Sequence, residues 1–167
     1  MCGGRNITGF MGDRPSQKSQ KEHAHKILTT CLLSTQELRD ELFCQLCKQL
    51  TANPSAVSRA NGWHLMLICL TTVAPSDELL PSVLHFFKVQ IEADSDVSTV
   101  AEIALHKCFK STQLGARHEV PSVLEMEALR HVCDEQYHPN NHEGFTHTHS
   151  GVFSCVCMYV RTLLCCA

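Results

Sequence analysis

The chain has 167 residues, of which 44% are apolar and 19% are charged, a composition typical of one globular domain rather than of a disordered chain. The net charge of −3 argues against a strongly basic nucleic-acid-binding protein, because such binding relies on a surplus of lysine and arginine. No uncharged apolar run reaches the roughly 18 residues that a membrane-spanning helix needs. We therefore expect no nucleic-acid partner, and any membrane contact would be peripheral.

Charge is unevenly distributed along the chain. Residues 1–30 carry five basic and two acidic side chains, whereas residues 76–135 carry eleven acidic and five basic ones. A basic segment favours contact with an acidic surface, and it supplies our candidate partner-binding residues: Arg14, Lys18, Lys21 and Lys26. The alternative interpretation is that these side chains only solvate one face of a helix.

Hydrophobic periodicity predicts six helices between residues 20 and 132, and no strand of useful length in that region. The predicted helices span about residues 22–33, 35–52, 57–72, 81–93, 97–109 and 122–132. The third is apolar nearly all round, which predicts a central, buried helix with Trp63 in the core. Ser122 and Glu125 form a capping box that opens the sixth helix.

The start of the second predicted helix has the best local signal in the chain. Ser34 is placed to cap the helix, and Glu37, three residues on, is its capping-box partner. Leu33 and Leu38 are spaced as a hydrophobic staple across this cap. The sequence therefore predicts a well-defined helix start, and Asn53-Pro54 marks the end of the same helix.

Eleven cysteines form an odd total, and residues 1–20 contain no apolar leader segment. Together these observations favour a reducing compartment over a disulfide framework. Cys44 and Cys47 are spaced as Cys-x-x-Cys, but both fall in the middle of a predicted helix. We therefore predict that they are packing residues rather than a redox pair. His64, His85, His106 and His131 are scattered one per helix, so no catalytic triad is predicted.

Six short segments occur in a specific order: FMGD at 10–13, ELRDELFCQLCKQLT at 37–51, NP at 53–54, GW at 62–63, APS at 74–76 and EVPSVLE at 119–125. In this order and spacing the chain resembles the myosin tail homology 4 domain over residues 10–132. The motif residues to which we assign a structural role are Met11, Gly12, Asp13, Leu38, Arg39, Asp40, Glu41, Gln45, Lys48, Gln49, Asn53, Pro54, Gly62, Trp63, Pro75, Pro121, Ser122 and Glu125.

The resemblance implies an all-α fold, a compact bundle of about six helices without catalytic residues, cofactor or metal. Domains of this family occur in the tails of unconventional myosins, in a plant kinesin, in pleckstrin-homology adaptors and in a Rho GTPase-activating protein. There they usually precede a FERM domain and bind microtubules or cargo tails. We therefore expect protein partners, namely tubulin or cargo cytoplasmic tails and an adjacent FERM domain, and a cytoplasmic, cytoskeleton-associated location. The alternative is a scaffold fragment of a pleckstrin-homology/FERM or Rho GTPase-activating signalling protein.

The resemblance divides the chain into a short leader at 1–9, the domain at 10–132 and an irregular Cys/His-rich tail at 133–167. The family has further helical sequence before the Met-Gly-Asp segment, so we expect a domain that is truncated at its N-terminus. The tail could hold zinc or be acylated on its cysteines, and the candidate zinc ligands are His138, His142, His147, His149, Cys155 and Cys157. The His-x-His and Cys-x-Cys spacings are not those of common zinc sites, so we assign no metal site.

Overall fold

The computed structural model describes residues 4–93 and 96–137; the expectations for residues 138–167, including the irregular tail and its candidate zinc ligands, lie outside this part. The described residues contain no strand and form seven helices: α1 Gly4–Met11, α2 Gln20–Leu32, α3 Gln36–Leu50, α4 Ala56–Leu70, α5 Leu80–Glu92, α6 Ser98–Leu114 and α7 Val123–Tyr137. The all-α prediction is confirmed. The six predicted helices correspond to α2–α7, and both α6 and α7 continue beyond their predicted ends.

The helix α4 lies at the centre of the bundle. It packs against α1, α3, α6 and α7, and every residue from Asn61 to Leu70 is buried. The prediction of a central helix with Trp63 in the core is confirmed. The indole of Trp63 lies against two rings of α5, with centroids 5.8 Å from Phe86 and 6.1 Å from Phe87. Because aromatic side chains bury the largest apolar areas, this cluster joins α5 firmly to α4.

Gly62 sets how closely α1 and α3 approach α4. A Cβ atom at this position would lie 2.8 Å from Leu50 Cδ2 and 2.9 Å from Met11 Cε. Both of these side chains belong to the core, where displaced atoms have little free space to enter. The Gly62-Trp63 pair of the sequence therefore combines a close approach on one side of α4 with a large apolar side chain on the other.

Helix α1 is not among the six predicted helices. This helix has only eight residues and contains two glycines, which lower helix propensity, so local sequence favours it weakly. Its stability comes from packing, because Ile7, Phe10 and Met11 are almost completely buried where α1 contacts α2 and α4. These three residues are spaced as one face of a helix. This spacing indicates a helix, although residues 1–9 were assigned to a leader.

The Met-Gly-Asp segment ends α1. Gly12 has a φ of +86°, and the Asp13 N–H donates to the Thr8 carbonyl at 3.0 Å, which together form a Schellman-type helix end. The Asp13 carboxylate then accepts a hydrogen bond from the Ser58 hydroxyl at 2.9 Å. The Ser58 oxygen in turn accepts one from the Asn53 side chain, also at 2.9 Å. This chain of hydrogen bonds joins the end of α1 to the α3–α4 turn and to α4.

The last carbonyl groups of α1 are satisfied by amide side chains from other helices. Gln20 Nε2 donates to the Phe10 carbonyl at 2.8 Å, and Asn61 Nδ2 donates to the Met11 carbonyl at 3.1 Å. Arg130 of α7 donates to the side-chain oxygens of both amides, at 2.6 Å to Gln20 and 3.4 Å to Asn61. Since carbonyl groups at a helix end have no partner within the helix, this network fixes α1 against α2, α4 and α7.

The predicted cap and staple at the start of α3 are wrong. The Ser34 hydroxyl donates to the Thr30 carbonyl of α2, so it does not cap α3, and the N-cap position is occupied by Thr35. The staple does not form either, because 85% of Leu33 and 45% of Leu38 are exposed. Short serine side chains bond readily to a carbonyl four residues earlier, and here that contact with the preceding helix prevails.

Two capping boxes do form elsewhere in the bundle. The predicted pair Ser122 and Glu125 opens α7, with the Ser122 N–H donating to the Glu125 carboxylate at 2.7 Å. A second box, Ser19 with Glu22, opens α2 and was not predicted. In both, the hydrogen bond from the serine backbone is the main cause of a lowered pKa of the glutamate. Both helix starts therefore have locally satisfied N–H groups.

Arg39 and Asp40, two motif residues of α3, hydrogen-bond to the ends of other segments. Arg39 Nε donates to the Cys31 carbonyl at 3.0 Å, and Arg39 Nη2 donates to the Leu32 carbonyl at 3.4 Å, both at the end of α2. The Asp40 carboxylate accepts from the Ser76 N–H at 2.8 Å in the α4–α5 loop. Through these contacts α3 fixes the positions of the end of α2 and of the α4–α5 loop.

We predict that Arg39→Ala lowers the free energy of unfolding by about 1–3 kcal/mol. The substitution removes the charge-assisted hydrogen bonds that Arg39 donates to two partly buried carbonyl groups. Lys48→Ala, on the exposed side of the same helix, is the matched control and should change it by less than about 0.5 kcal/mol. Urea denaturation followed by circular dichroism measures both. Equal effects of the two substitutions would contradict the capping role of Arg39.

His64 is a buried histidine of α4. Its Nε2 lies 2.8 Å from the Met126 carbonyl of α7, to which it donates, and its ring centroid is 5.5 Å from that of Phe10. Burial lowers the pKa of His64 to about 4 from an ordinary value of 6.5. The neutral imidazole is therefore the form that the folded bundle accommodates.

The His64 pKa predicts an acid-sensitive fold. The unfolded chain binds a proton at His64 below pH 6.5, whereas the folded chain does not until about pH 4. The stability that neutral His64 provides is therefore complete above pH 6.5 and is lost as the pH falls, on the order of 2 kcal/mol by pH 5. Urea unfolding between pH 7 and pH 5 should show this slope. It should be smaller in His64→Gln than in the control His85→Gln, and identical slopes in the two variants would contradict the assignment.

Candidate partner-binding surface

A groove with a volume of about 1400 Å³ lies between α2 and α3. Residues of α1 and of the α1–α2 loop, residues 12–19, also line it, and we call it the α2–α3 groove. Its apolar lining side chains come from the facing sides of the two helices: Ile27, Cys31, Leu38 and Leu42. A concave surface of this kind, with apolar and charged side chains together, is typical of a binding site.

Basic side chains predominate among the charged residues of the groove. Three of the four candidate residues from the sequence line it, namely Arg14, Lys18 and Lys26, and α1 adds Arg5. Among the described residues that line the groove, Glu41 is the one acidic side chain, and it already accepts a hydrogen bond within α3. The groove therefore presents an excess of positive charge to any ligand that enters it.

Lys21, the fourth candidate, lies elsewhere. Its Nζ is 2.5 Å from Glu127 Oε1 of α7, and this contact is the main cause of the lowered pKa of Glu127. Lys21 and Lys26 are five residues apart on α2, which places them about 140° apart around the helix axis. The structure therefore brings Arg14, Lys18 and Lys26 to one groove and directs Lys21 to a pair with α7.

Arg5 is absent from the candidate residues because residues 1–9 resemble a leader in sequence. Once α1 forms, Arg5 and the α1–α2 loop reach the same groove. The available signal was the spacing of Ile7, Phe10 and Met11, which defines a buried face and leaves Arg5 on the exposed side of the same helix.

The loop that carries Arg14 and Lys18 is held by a buried histidine. His23 Nδ1 lies 3.2 Å from Asn6 Oδ1, which can only accept a hydrogen bond, so Nδ1 carries the proton. His23 Nε2 then accepts from the Ser16 hydroxyl at 2.8 Å, while the Ser16 oxygen accepts from the Lys18 N–H at 3.1 Å. Burial, with a smaller effect of the charge on Lys18, lowers the pKa of His23.

The remaining motif residues fall into two groups. Three residues of α3 line the groove: Leu38, Glu41 and Gln45. Of the others not yet placed, Pro75 and Pro121 are buried, Gln49 is half-buried, and Lys48 and Pro54 are exposed. The motif positions thus include both residues that support the bundle and residues that face the groove.

The cysteines of the described region have free thiols. Cys47 packs against the core, as predicted, and burial raises the pKa of its thiol to about 12. The prediction for Cys44 is wrong, because its side chain is exposed on the outer side of α3. In residues 4–93 and 96–137, no three His, Cys, Asp or Glu residues are grouped to hold a metal ion. Within the same ranges, no helix has the length and hydropathy needed to span a bilayer.

The sequence profile of the MyTH4 domain, the myosin tail homology 4 domain, matches residues 24–128, which is more than half of the chain. The chain belongs to the MyTH4 family. The high molecular weight form of myosin-1 from Acanthamoeba castellanii is 49% identical over 127 residues, which is 75% of this chain and 7% of the relative. Kinesin-like protein KIN-14I from rice (Oryza sativa subsp. japonica) is 35% identical over 129 residues, which is 74% of this chain and 10% of the relative.

Solved structures show the same fold. The C-terminal MyTH4-FERM domain of human myosin 7b, in complex with the PDZ3 domain of harmonin-a, superposes with a TM-score of 0.66 and 30% sequence identity. The match covers 75% of this chain and 26% of that one. This MyTH4 domain therefore corresponds to a small part of its relatives, since it spans 10% or less of the length of the curated motor proteins.

We predict that Gly9→Ala destabilises this MyTH4 domain and loosens the α1–α2 loop. An added Cβ would lie 2.6 Å from His23 Cε1, and the ring can move only by breaking its bonds to Ser16 and Asn6. The expected loss is about 1–3 kcal/mol of unfolding free energy, with faster amide hydrogen exchange at residues 14 and 16–18.

Gly4→Ala is the matched control for this substitution, because a Cβ at position 4 would meet no atom within 4 Å beyond its chain neighbours and the nearby backbone of α1. Alanine also has the higher helix propensity, so Gly4→Ala should leave stability unchanged or raise it by up to about 1 kcal/mol. Similar exchange rates in the loop for both variants would show that His23 does not hold it.

Proposed function

We propose that this MyTH4 domain is a non-catalytic interaction module of a cytoskeletal motor tail that binds microtubules or the cytoplasmic tails of cargo proteins. The observation that carries the proposal is the convergence of Arg14, Lys18 and Lys26, with Arg5, on one groove. Membership of a family found in myosins and in a kinesin-like protein supports the motor context. The clustering of these basic side chains favours binding to an acidic surface of a partner.

The proposed mechanism is rigid display of charge. The helices and the hydrogen-bonded α1–α2 loop hold the basic side chains in place before a partner arrives, so little ordering is required on binding. Long-range attraction then increases the rate of association, and salt screens it. Affinity should accordingly depend strongly on ionic strength, and more through association than through dissociation.

A FERM domain is part of this proposal. In the human myosin 7b structure the MyTH4 and FERM domains occur together, and that tandem binds a PDZ domain. We propose that the parent protein of this chain likewise combines the MyTH4 domain with a FERM domain and associates with the cytoskeleton in the cytoplasm.

Co-sedimentation with microtubules at 50 and 200 mM salt tests the charge assignment. Binding should weaken steeply over this range, since the Debye length roughly halves. The double variant Lys18→Glu/Lys26→Glu should bind about tenfold or more weakly at 50 mM salt, because steering charges change association rates by roughly 10- to 1,000-fold.

The double variant Lys48→Glu/Lys110→Glu is the matched control, because it changes net charge equally at exposed lysines that do not line the groove. It should retain most of the binding. If both double variants lost microtubule binding equally, net charge alone would determine the affinity. If Lys18→Glu/Lys26→Glu bound microtubules as tightly as the wild type, Lys18 and Lys26 would not be part of the binding surface. If the wild-type chain fails to pellet, microtubules are excluded and cargo tails become the partner to test.

A further inference from the structure

Two helix faces meet across the α2–α3 groove. On α3, the lining residues Leu38, Glu41, Leu42 and Gln45 follow one another at spacings of three, one and three, which is one continuous face of a helix. On α2, His23, Lys26, Ile27 and Cys31 form a face in the same way. The groove therefore has two regular walls with an apolar centre and charged or polar edges.

Leu38 is the least expected feature of these walls. The four-residue spacing of Leu38, Leu42, Leu46 and Leu50 suggests that all four are core residues. The last three are 3% exposed or less, whereas Leu38 is 45% exposed and lines the groove. If a partner contacted only the charged side chains of the groove, the Leu38 side chain would remain exposed to solvent. A ligand that covers it would gain apolar burial as well as electrostatic attraction.

The charges of the groove are arranged asymmetrically. Arg5, Arg14, Lys18 and Lys26 come from α1, the loop and α2, whereas the α3 wall contributes Glu41, already bonded to Gln45. Carboxylates of a ligand are therefore attracted to one wall, while its apolar side chains can reach the leucines of the other. This complementarity fits a chain that carries both kinds of side chain at short spacing.

The size of the groove favours a peptide over a small molecule. Its volume of about 1400 Å³ exceeds the roughly 300–1,000 Å³ that is usual for small-molecule sites. The wall formed by the loop is also preorganised, since Ser16 and His23 are hydrogen-bonded to each other. A short segment of a partner protein can thus be bound with little rearrangement of the domain.

We propose that the α2–α3 groove binds an acidic peptide segment of a partner protein, with one apolar side chain of that segment anchored against Leu38 and its carboxylates paired with Arg14, Lys18 and Lys26. This inference rests on the proposed function, because it uses the same basic residues, and it adds the recognition of an apolar anchor. A flat acidic surface without such an anchor would satisfy the proposed function but not this inference.

Fluorescence anisotropy with three labelled peptides tests the inference on the full chain. The first peptide is rich in glutamate with one central leucine, the second has serine in place of that leucine, and the third has lysine in place of the glutamates. The first should bind at least about tenfold more tightly than the second, which is the effect of burying one leucine. The third should bind most weakly, because its charges are repelled.

Leu38→Ser and Leu33→Ser form a matched pair, because both leucines are exposed, neither change alters charge, and Leu33 does not line the groove. Leu38→Ser should remove most of the advantage of the leucine-containing peptide, while Leu33→Ser should preserve it. Circular dichroism should show the same helix content for both variants and the wild type.

Several outcomes would overturn the inference. Equal binding of the leucine and serine peptides, full retention of the advantage in Leu38→Ser, or no measurable binding of the acidic peptides would each do so. Microtubule binding that depends on Lys18 and Lys26, together with acidic-peptide binding that does not depend on Leu38, would overturn it while leaving the proposed function intact. If the wild-type chain bound neither the acidic peptides nor microtubules, both proposals would be contradicted.

Discussion

Burial of residues 61–70 of α4 on every side constrains the rest of the molecule. A helix in this position must have its polar side chains satisfied by its neighbours, because an unpaired polar group in the interior costs about 1–3 kcal/mol. Asn61 meets this requirement by donating to the Met11 carbonyl of α1. His64 meets it at one ring nitrogen only: Nε2 donates to the Met126 carbonyl of α7, while the buried Nδ1 has no hydrogen-bond partner among the described residues. The rotation of α4 about its axis is thereby coupled to the positions of α1 and α7.

The position of α1 then determines the surface. Because α1 is fixed at its end by Gln20, Asn61 and the Schellman turn, the following loop leaves the bundle in a defined direction. His23 holds the middle of that loop through Ser16. The charged residues of the α2–α3 groove therefore depend on a series of contacts that begins in the core. A change at Gly9 or Asn61 is therefore expected to move the charged side chains of the groove without replacing a basic residue.

Sequence periodicity predicted α2–α7 because each of these helices is long enough to show a repeated apolar face, and α4 because it is apolar all round. It failed for α1, whose eight residues form a helix mainly through tertiary contacts. It also failed at Ser34, because two helices compete for one hydroxyl group and the spacing of residues does not show which prevails. The sequence pattern thus identifies the helices that are long enough to show a repeated apolar face, but not features that depend on tertiary contacts.

The candidate site was only partly predictable for a related reason. Basic residue type identified Arg14, Lys18 and Lys26, but Lys21 has the same chemistry and lies within the same segment. What separates it is Glu127, a partner 106 residues away in sequence. Leu38 shows the converse case, since its spacing indicates a core position and its exposure places it in the groove. Both assignments depend on how helices approach one another, which a single sequence does not state.

The helix α3 carries residues that cap neighbouring segments and residues that line the α2–α3 groove. Arg39 and Asp40 hold the end of α2 and the α4–α5 loop, while Leu38, Glu41 and Gln45 line the groove. These positions alternate along little more than two turns of helix. A substitution that disturbs the capping side must therefore shift the groove side as well. Stability and partner binding should be coupled through α3 more strongly than through any helix that contributes to only one of them.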